Sequence, residues 1–181
     1  EPFRLRPAVA EDAPALHAIY NTRRGQSLVW NELGEDDWRY FVTIWDEPLV
    51  ASQPPEENGV AMRPYMIENA GGDVCGFAMT STKRRSRGFG VYALELASGV
   101  NWQAAMPSIL RGLCELARQT PVINAEVPPF EELALILGPD HPAYAAMGDK
   151  LTGRIEPVYA WYLRVADIPG FVRHIAPVIE G

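Results

Sequence analysis

Apolar and polar residues alternate at the start of the chain, where Phe3-Arg4-Leu5-Arg6-Pro7-Ala8 reads as a short strand. Glu11 and Asp12 with Pro14 then open a helix carried by Ala15, Leu16, Ile19 and Tyr20, the acids sitting where the helix dipole favours them. After a break at residues 25–31, residues 35–45 predict a second helix, with Trp38, Phe41 and Trp45 on one stripe that reads as core. Pro48 to Pro64 reads as an exposed loop. Two β-prone runs, Tyr65–Asn69 and Val74–Thr80, flank Ala70-Gly71-Gly72-Asp73 and predict a hairpin. A basic turn over Lys83–Gly90 leads to a third strand, Tyr92–Ser98.

A helix follows that strand, with Ile109, Leu110, Leu113, Leu116 and Ala117 at helical spacing and Pro107-Ser108 as its expected start. A strand that feeds a helix N-terminus is a ready anion cradle, since free N–H groups and the positive end of the dipole point one way. Beyond an irregular stretch, Leu133–Leu137 reads as a buried strand, and Asp140 or His141 caps a short helix from Pro142. A last strand is expected at Tyr159–Val165, and a closing helix over Phe171–Ile175. The order β-α-α-β-β-β-α-β-α-β-α predicts a mixed α/β domain with one twisted sheet.

At 181 residues the chain suffices for one domain with a substantial core, and a net charge of −7 argues against a nucleic-acid binder, the basic run Lys83–Arg87 notwithstanding. No apolar run is long enough to span a bilayer, so a cytoplasmic protein is expected, with no membrane partner. Cys75 and Cys114 lie in apolar stretches without metal spacing and read as packed small residues. His17 has no partner motif and reads as a surface or packed residue. The chain begins at Glu1 and stops at Gly181 just after an apolar helix, which suggests a domain excised from a longer multidomain protein.

Taken in order, these elements resemble the GNAT superfamily of acetyl-CoA-dependent acyltransferases. The likeness rests on Leu5–Ala8 with Glu11–Leu16 and Ile19-Tyr20, on Leu94–Ala97 as the central strand, and on Leu137, His141-Pro142 and Lys150-Leu151. The closing Tyr159–Val165 and Phe171–Val178 look most like the second domain of tandem GNAT proteins. The resemblance implies one mostly antiparallel sheet flanked by helices, acetyl-CoA as cofactor and an amine, small-molecule or peptide, as acceptor. A neighbouring domain or a second copy is the implied protein partner.

The family holds the CoA pyrophosphate with a Gln/Arg-x-x-Gly-x-Gly/Ala loop after the central strand. Here Gln103-Ala104-Ala105-Met106-Pro107-Ser108 takes that register, with Leu96, Ala97 and Ser98 leading in, and both glycines are replaced. A competing placement, Arg85-Ser86-Arg87-Gly88-Phe89-Gly90, fits the pattern by letter but would turn Val91–Ala97 into a helix. The family's acid, a tyrosine in the late helix, falls on Gly148, and Tyr144 one turn earlier is the available substitute. Glu95 is the candidate base for the incoming amine; its alternative is a solvated strand carboxylate. The reading is an N-acetyltransferase, and its rival is a degenerate domain that shapes the substrate pocket of an active sister domain.

Overall fold

A computed structural model describes residues 2–26, 31–148, 151–156 and 167–179. The strands are β1 (Phe3–Pro7), β2 (Met62–Asn69), β3 (Val74–Ser81), β4 (Gly88–Leu96) and β5 (Glu132–Leu135). The helices are α1 (Ala13–Asn21), α2 (Glu35–Thr43), the single turn α3 (Pro48–Ala51), α4 (Trp102–Gln119), α5 (Pro142–Met147) and α6 (Ile168–Ile179). The sheet runs β1-β2-β3-β4-β5. Its first three pairings are antiparallel and the β4–β5 pair is parallel, with α4 in the crossover connection that a parallel pair needs. The expected mixed α/β fold, with a mostly antiparallel sheet flanked by helices, is what forms.

Both faces of the sheet are buried. On one, Ile67, Ala78, Val91, Leu94 and Leu96 meet Ala105, Met106, Ile109 and Leu113 of α4 and Ala143 of α5. On the other, Met66, Phe77 and Met79 meet Leu16 and Ile19 of α1 and Trp38 and Val42 of α2. Trp38 stands edge-on to Tyr20 and Phe77, with ring centroids 5.3 Å apart in both pairs, so of the aromatic stripe Trp38 is core and Phe41 packs half-buried against it. Cys75 is buried and Cys114 half-buried, both as free thiols.

Several boundaries differ from expectation. Trp45 lies in a 3-10 turn, Ile44–Asp46, after α2 has ended, and the expected loop contains α3 while giving up Pro64 to β2. β4 begins at Gly88 rather than Tyr92, so Gly88–Gly90 is strand and the competing loop placement at Arg85–Gly90 is excluded. The largest shift is at α4. It starts at Trp102 with Asn101 as cap, and Pro107 lies inside it. Pro107 deletes one helical hydrogen bond and crowds the preceding turn, but Ala105, Met106, Ser108 and Ile109 around it are all buried. Tertiary packing holds the turn helical where local propensity would begin the helix later. The expected strand at Tyr159–Val165 and Lys150 lie outside the described residues.

One feature of β4 positions everything that follows. Met79 pairs with Ala93 while Thr80 pairs with Val91, so Tyr92 is an extra residue that bulges the strand. On the other edge, the ladder to β5 runs from Gly88↔Glu132 to Val91↔Leu135, and the Ile136 N–H closes it on the Val91 carbonyl at 2.8 Å. Beyond that bond β4 continues to Leu96, whereas the chain after β5 turns away through Gly138, whose φ is +89°. The two parallel strands part at the bulge.

Candidate active site

Beyond Val91 the segment Leu94–Leu96 of β4 has no partner on β5, and all three residues are buried. The Ala97 N–H donates to the Cys75 carbonyl at 2.8 Å, so alternation directs the N–H groups of Ala93 and Glu95 toward β3 and those of Leu94 and Leu96 toward the gap. Gly76 lies opposite Leu96, and a Cβ there would stand 2.4 Å from the Glu95 carbonyl oxygen. Only glycine lets β3 approach this stretch so closely.

Glu95 sits on that segment with 8% of its surface exposed. It is therefore not the solvated strand carboxylate offered as its alternative. Its Oε1 lies 3.8 Å from Nη1 of Arg23, just past the end of α1, and 3.6 Å from Nε2 of His141. Tyr20, one turn back on α1, is close enough to feel the charge: burial raises its phenol above the ordinary value, a hydrogen bond from its hydroxyl to the Asn31 carbonyl opposes this, and the Glu95 charge adds to the rise.

His141 is held from three sides. Its Nδ1 accepts the Ala143 N–H at 3.2 Å and so caps α5, as expected for one of the two candidates. Its ring meets the Trp102 ring at 90° with centroids 5.2 Å apart, and Tyr144 at 6.2 Å. Nε2 is buried without a hydrogen-bond partner. In the sequence His141 reads as a cap candidate and as part of the GNAT-like His141-Pro142 pair; its approach to Glu95 spans 46 positions and no local pattern carries it.

Tyr144 is half-buried, and its hydroxyl donates to the Leu135 carbonyl at 3.0 Å while accepting the Leu137 N–H at 3.4 Å. It ties α5 to the end of β5 where the strands part. Gly148 ends α5 with φ +66°. The residues of the expected cofactor loop divide in two. Ser98, Gln103 and Ala104 are exposed around the start of α4, and Ala97 is half-buried in the turn before it. Leu96, Ala105, Met106 and Ser108 are buried, the last three inside the helix, where their N–H groups belong to the helical ladder. Asn101 Oδ1 accepts the Ala104 N–H at 3.1 Å, and the Asn101 carbonyl accepts the Ala105 N–H at 3.0 Å. The first-turn donors outside these bonds are the N–H groups of Trp102 and Gln103, reached through a turn at Gly99 with φ +87°.

Elsewhere the candidates are structural. His17 Nδ1 donates to the Leu33 carbonyl at 2.9 Å, a packed role. A cleft of about 280 Å³ lies beside it, and one of about 520 Å³ lies over Gly88, Gly90 and Tyr92; neither is lined by Glu95. Among the described residues no group of His, Cys, Asp and Glu could hold a metal ion, and no helix is long and apolar enough to cross a membrane.

Compared by sequence, the chain matches no protein-family model and no curated protein. Compared by structure, it is similar to ribosomal-protein-alanine N-acetyltransferase from Brucella melitensis biovar Abortus 2308, with TM-score 0.57 and 11% identity over 90% of this chain and 99% of that one. A possible acetyltransferase from Clostridium difficile 630 superposes with TM-score 0.56 and 10% identity, covering 91% of this chain and 99% of that one. The chain has the GNAT acyltransferase fold. An integron cassette protein from the mobile metagenome of V. cholerae shares the architecture at TM-score 0.53 and 8% identity, over 96% and 98% of the two chains. In this fold the Glu95 cluster stands on β4, the fourth of the five described strands, beyond the end of its pairing with β5.

Proposed function

We propose that the chain is an N-acetyltransferase that uses acetyl-CoA and acts at Glu95. The observation that carries this reading is the buried carboxylate of Glu95 beside the parting of β4 and β5. The residues present fit the cofactor at two places. The gap offers the Leu94 and Leu96 N–H groups as donors to a carbonyl oxygen, and the start of α4 offers the Trp102 and Gln103 N–H groups and the helix dipole to a phosphate. Acetyl-CoA, when bound, supplies an acetyl group activated as a thioester. Glu95 takes the proton that the acceptor amine must lose, and Arg23 supplies the countercharge that keeps a buried carboxylate in place. Tyr144 is the hydroxyl available on the late helix, although its proton is directed to Leu135. The acceptor is a small-molecule or peptide amine. The Brucella protein of the same fold is a ribosomal-protein-alanine N-acetyltransferase, which favours including peptide N-termini among the first amines tried.

The test is release of CoA thiol from acetyl-CoA in the presence of a panel of polyamines, amino acids and peptide N-termini, with Glu95→Gln alongside. Turnover by the wild type that falls at least a hundredfold in the variant supports the reading; equal turnover in both removes Glu95 from it.

A second reading, a catalytically degenerate domain beside an active partner, is favoured by specific observations. Asn101 already occupies the Ala104 N–H, and Phe171 and Ile179 on α6 are exposed. Absence of acetyl-CoA binding at millimolar concentration would select it.

A further inference from the structure

His141 contributes more to the Glu95 site than the cap of α5. Its side chain is 2% exposed and that of Glu95 is 10% exposed, so neither relies on bulk water. Because Nδ1 must keep its lone pair to accept the Ala143 N–H, the neutral ring carries its proton on Nε2. That buried N–H has no hydrogen-bond partner and faces Oε1 of Glu95 at 3.6 Å. The ring is fixed by Ala143 and Trp102, whereas the terminal torsion of a glutamate is soft, so closing the remaining distance requires only the carboxylate to turn. Catalytic hydrogen bonds are often this long before substrate arrives.

Resting on the acetyltransferase reading above, we propose that His141 is a positioning residue whose Nε2–H, together with Arg23, holds Oε1 of Glu95 and leaves Oε2 to accept the proton of the amine. The Arg23 cation and the His141 Nε2–H both lie nearest Oε1, which gives the carboxylate one held oxygen and one working oxygen. His141 itself takes no proton, since Nε2 is already protonated and Nδ1 is engaged. Among the described residues, the charged and titratable groups recorded beside the pair are Tyr20 on α1, Arg23 just past it and Tyr144 on α5, and the contact recorded from α4 is the neutral Trp102.

Two substitutions separate the positioning role from the cap. His141→Asn keeps an acceptor at the Nδ1 position but has no donor that reaches Glu95; His141→Gln supplies a donor near the Nε2 position but loses the cap. The experiment is NMR on the full chain without ligand, reading the ¹⁵N shifts of the His141 ring in the wild type and the ¹³C carboxyl titration of Glu95 in all three proteins. The wild-type ring shows the Nε2–H tautomer. The Glu95 midpoint moves up in the Asn variant, which loses the Nε2–H nearest Oε1, and stays at the wild-type position in the Gln variant. In turnover, the acid limb of kcat/KM moves with the carboxyl midpoint. A ring protonated on Nδ1, or a Glu95 midpoint identical in all three proteins, overturns the proposal, and the wild-type ring spectrum decides even if a variant fails to fold. A midpoint that moves as stated in a chain that acetylates no amine upholds the pair and sinks the acetyltransferase reading instead.

Discussion

Among the described residues two clusters pair buried carboxylates with arginine, and they are built differently. At the start of the sheet, Arg6 forks onto Asp12 at 2.6 and 2.8 Å and reaches Glu68 at 2.6 Å, while Arg4 holds the other Glu68 oxygen at 2.8 Å. The Val9 N–H adds a further bond to Asp12 at 2.8 Å. At Glu95 the corresponding distances are 3.8 Å to Arg23 and 3.6 Å to His141, and one buried N–H is unmatched. A buried ion cluster contributes to a fixed structure only when its hydrogen-bonding capacity is filled. The first cluster is filled and ties β1, β2 and the turn before α1 together. The second is underfilled, at the point where two strands part, and spare capacity is what a site that exchanges a proton requires.

This contrast is broken most sharply by Glu95→Gln. If Glu95 is the working group, kcat/KM for acetyl transfer falls about 10²- to 10⁴-fold, measured as CoA thiol release, while the chain stays folded by circular dichroism. The complementary change, Arg6→Met, is expected to cost about 3 kcal/mol of stability in urea unfolding, because it leaves two buried carboxylates short of a cation, Asp12 with the Val9 N–H and Glu68 with Arg4. Turnover per folded molecule stays within about twofold of wild type, because this cluster shares no residue with the Glu95 site. Parity of the two variants in both assays would erase the distinction.

Acid sharpens it further. Burial works to raise Asp12, but the bonds from Arg6 and the Val9 N–H outweigh it and hold the carboxyl below its ordinary value; Glu68 is held down chiefly by its bond from Arg6, against burial and with help from Arg4. Groups with depressed values in the folded state stabilise it above their unfolded values and lose that contribution as pH falls through the folded ones. Thermal melts should therefore show the gap between wild type and Arg6→Met narrowing below about pH 4. A gap that is constant from pH 7 to pH 3 would contradict the pairing.

Smaller effects are expected at the margins of the site. Tyr144→Phe removes two hydrogen bonds at the end of β5 and should cost about 1 kcal/mol in chemical unfolding; a hundredfold loss of kcat at unchanged KM would instead make Tyr144 the acid. Asn101→Gly should cost only a few tenths of a kcal/mol while freeing the Ala104 N–H, and calorimetry should register acetyl-CoA binding tightened by a few-fold through one more donor.

The element order was legible because each piece has a local signature. Gly71-Gly72 marks the β2–β3 hairpin, and Pro14 and the Trp38 stripe place α1 and α2. Glu95 stands out in the sequence only through the GNAT likeness, as the candidate base on the strand before the helix; its burial is not legible there. The start of α4 was not, since Pro107 imitates a first-turn proline and only the burial of Ala105, Met106 and Ser108 overrides it. The tie between Glu95 and His141 depends on the strands parting at Tyr92, a matter of register that single residues do not encode. The likeness to GNAT proteins pointed to the right fold, and it placed part of the cofactor loop one turn too deep in α4 to offer free N–H groups.

The most direct test of the account is an amide NMR map of the chain titrated with acetyl-CoA. Saturable shifts centred on Leu94, Leu96, Trp102 and Gln103 are predicted, with Val9 and Glu68 unmoved. No shifts at millimolar acetyl-CoA, or shifts confined to the basic turn at Lys83–Arg87, would contradict the claim that the gap beside Glu95 is where this protein works.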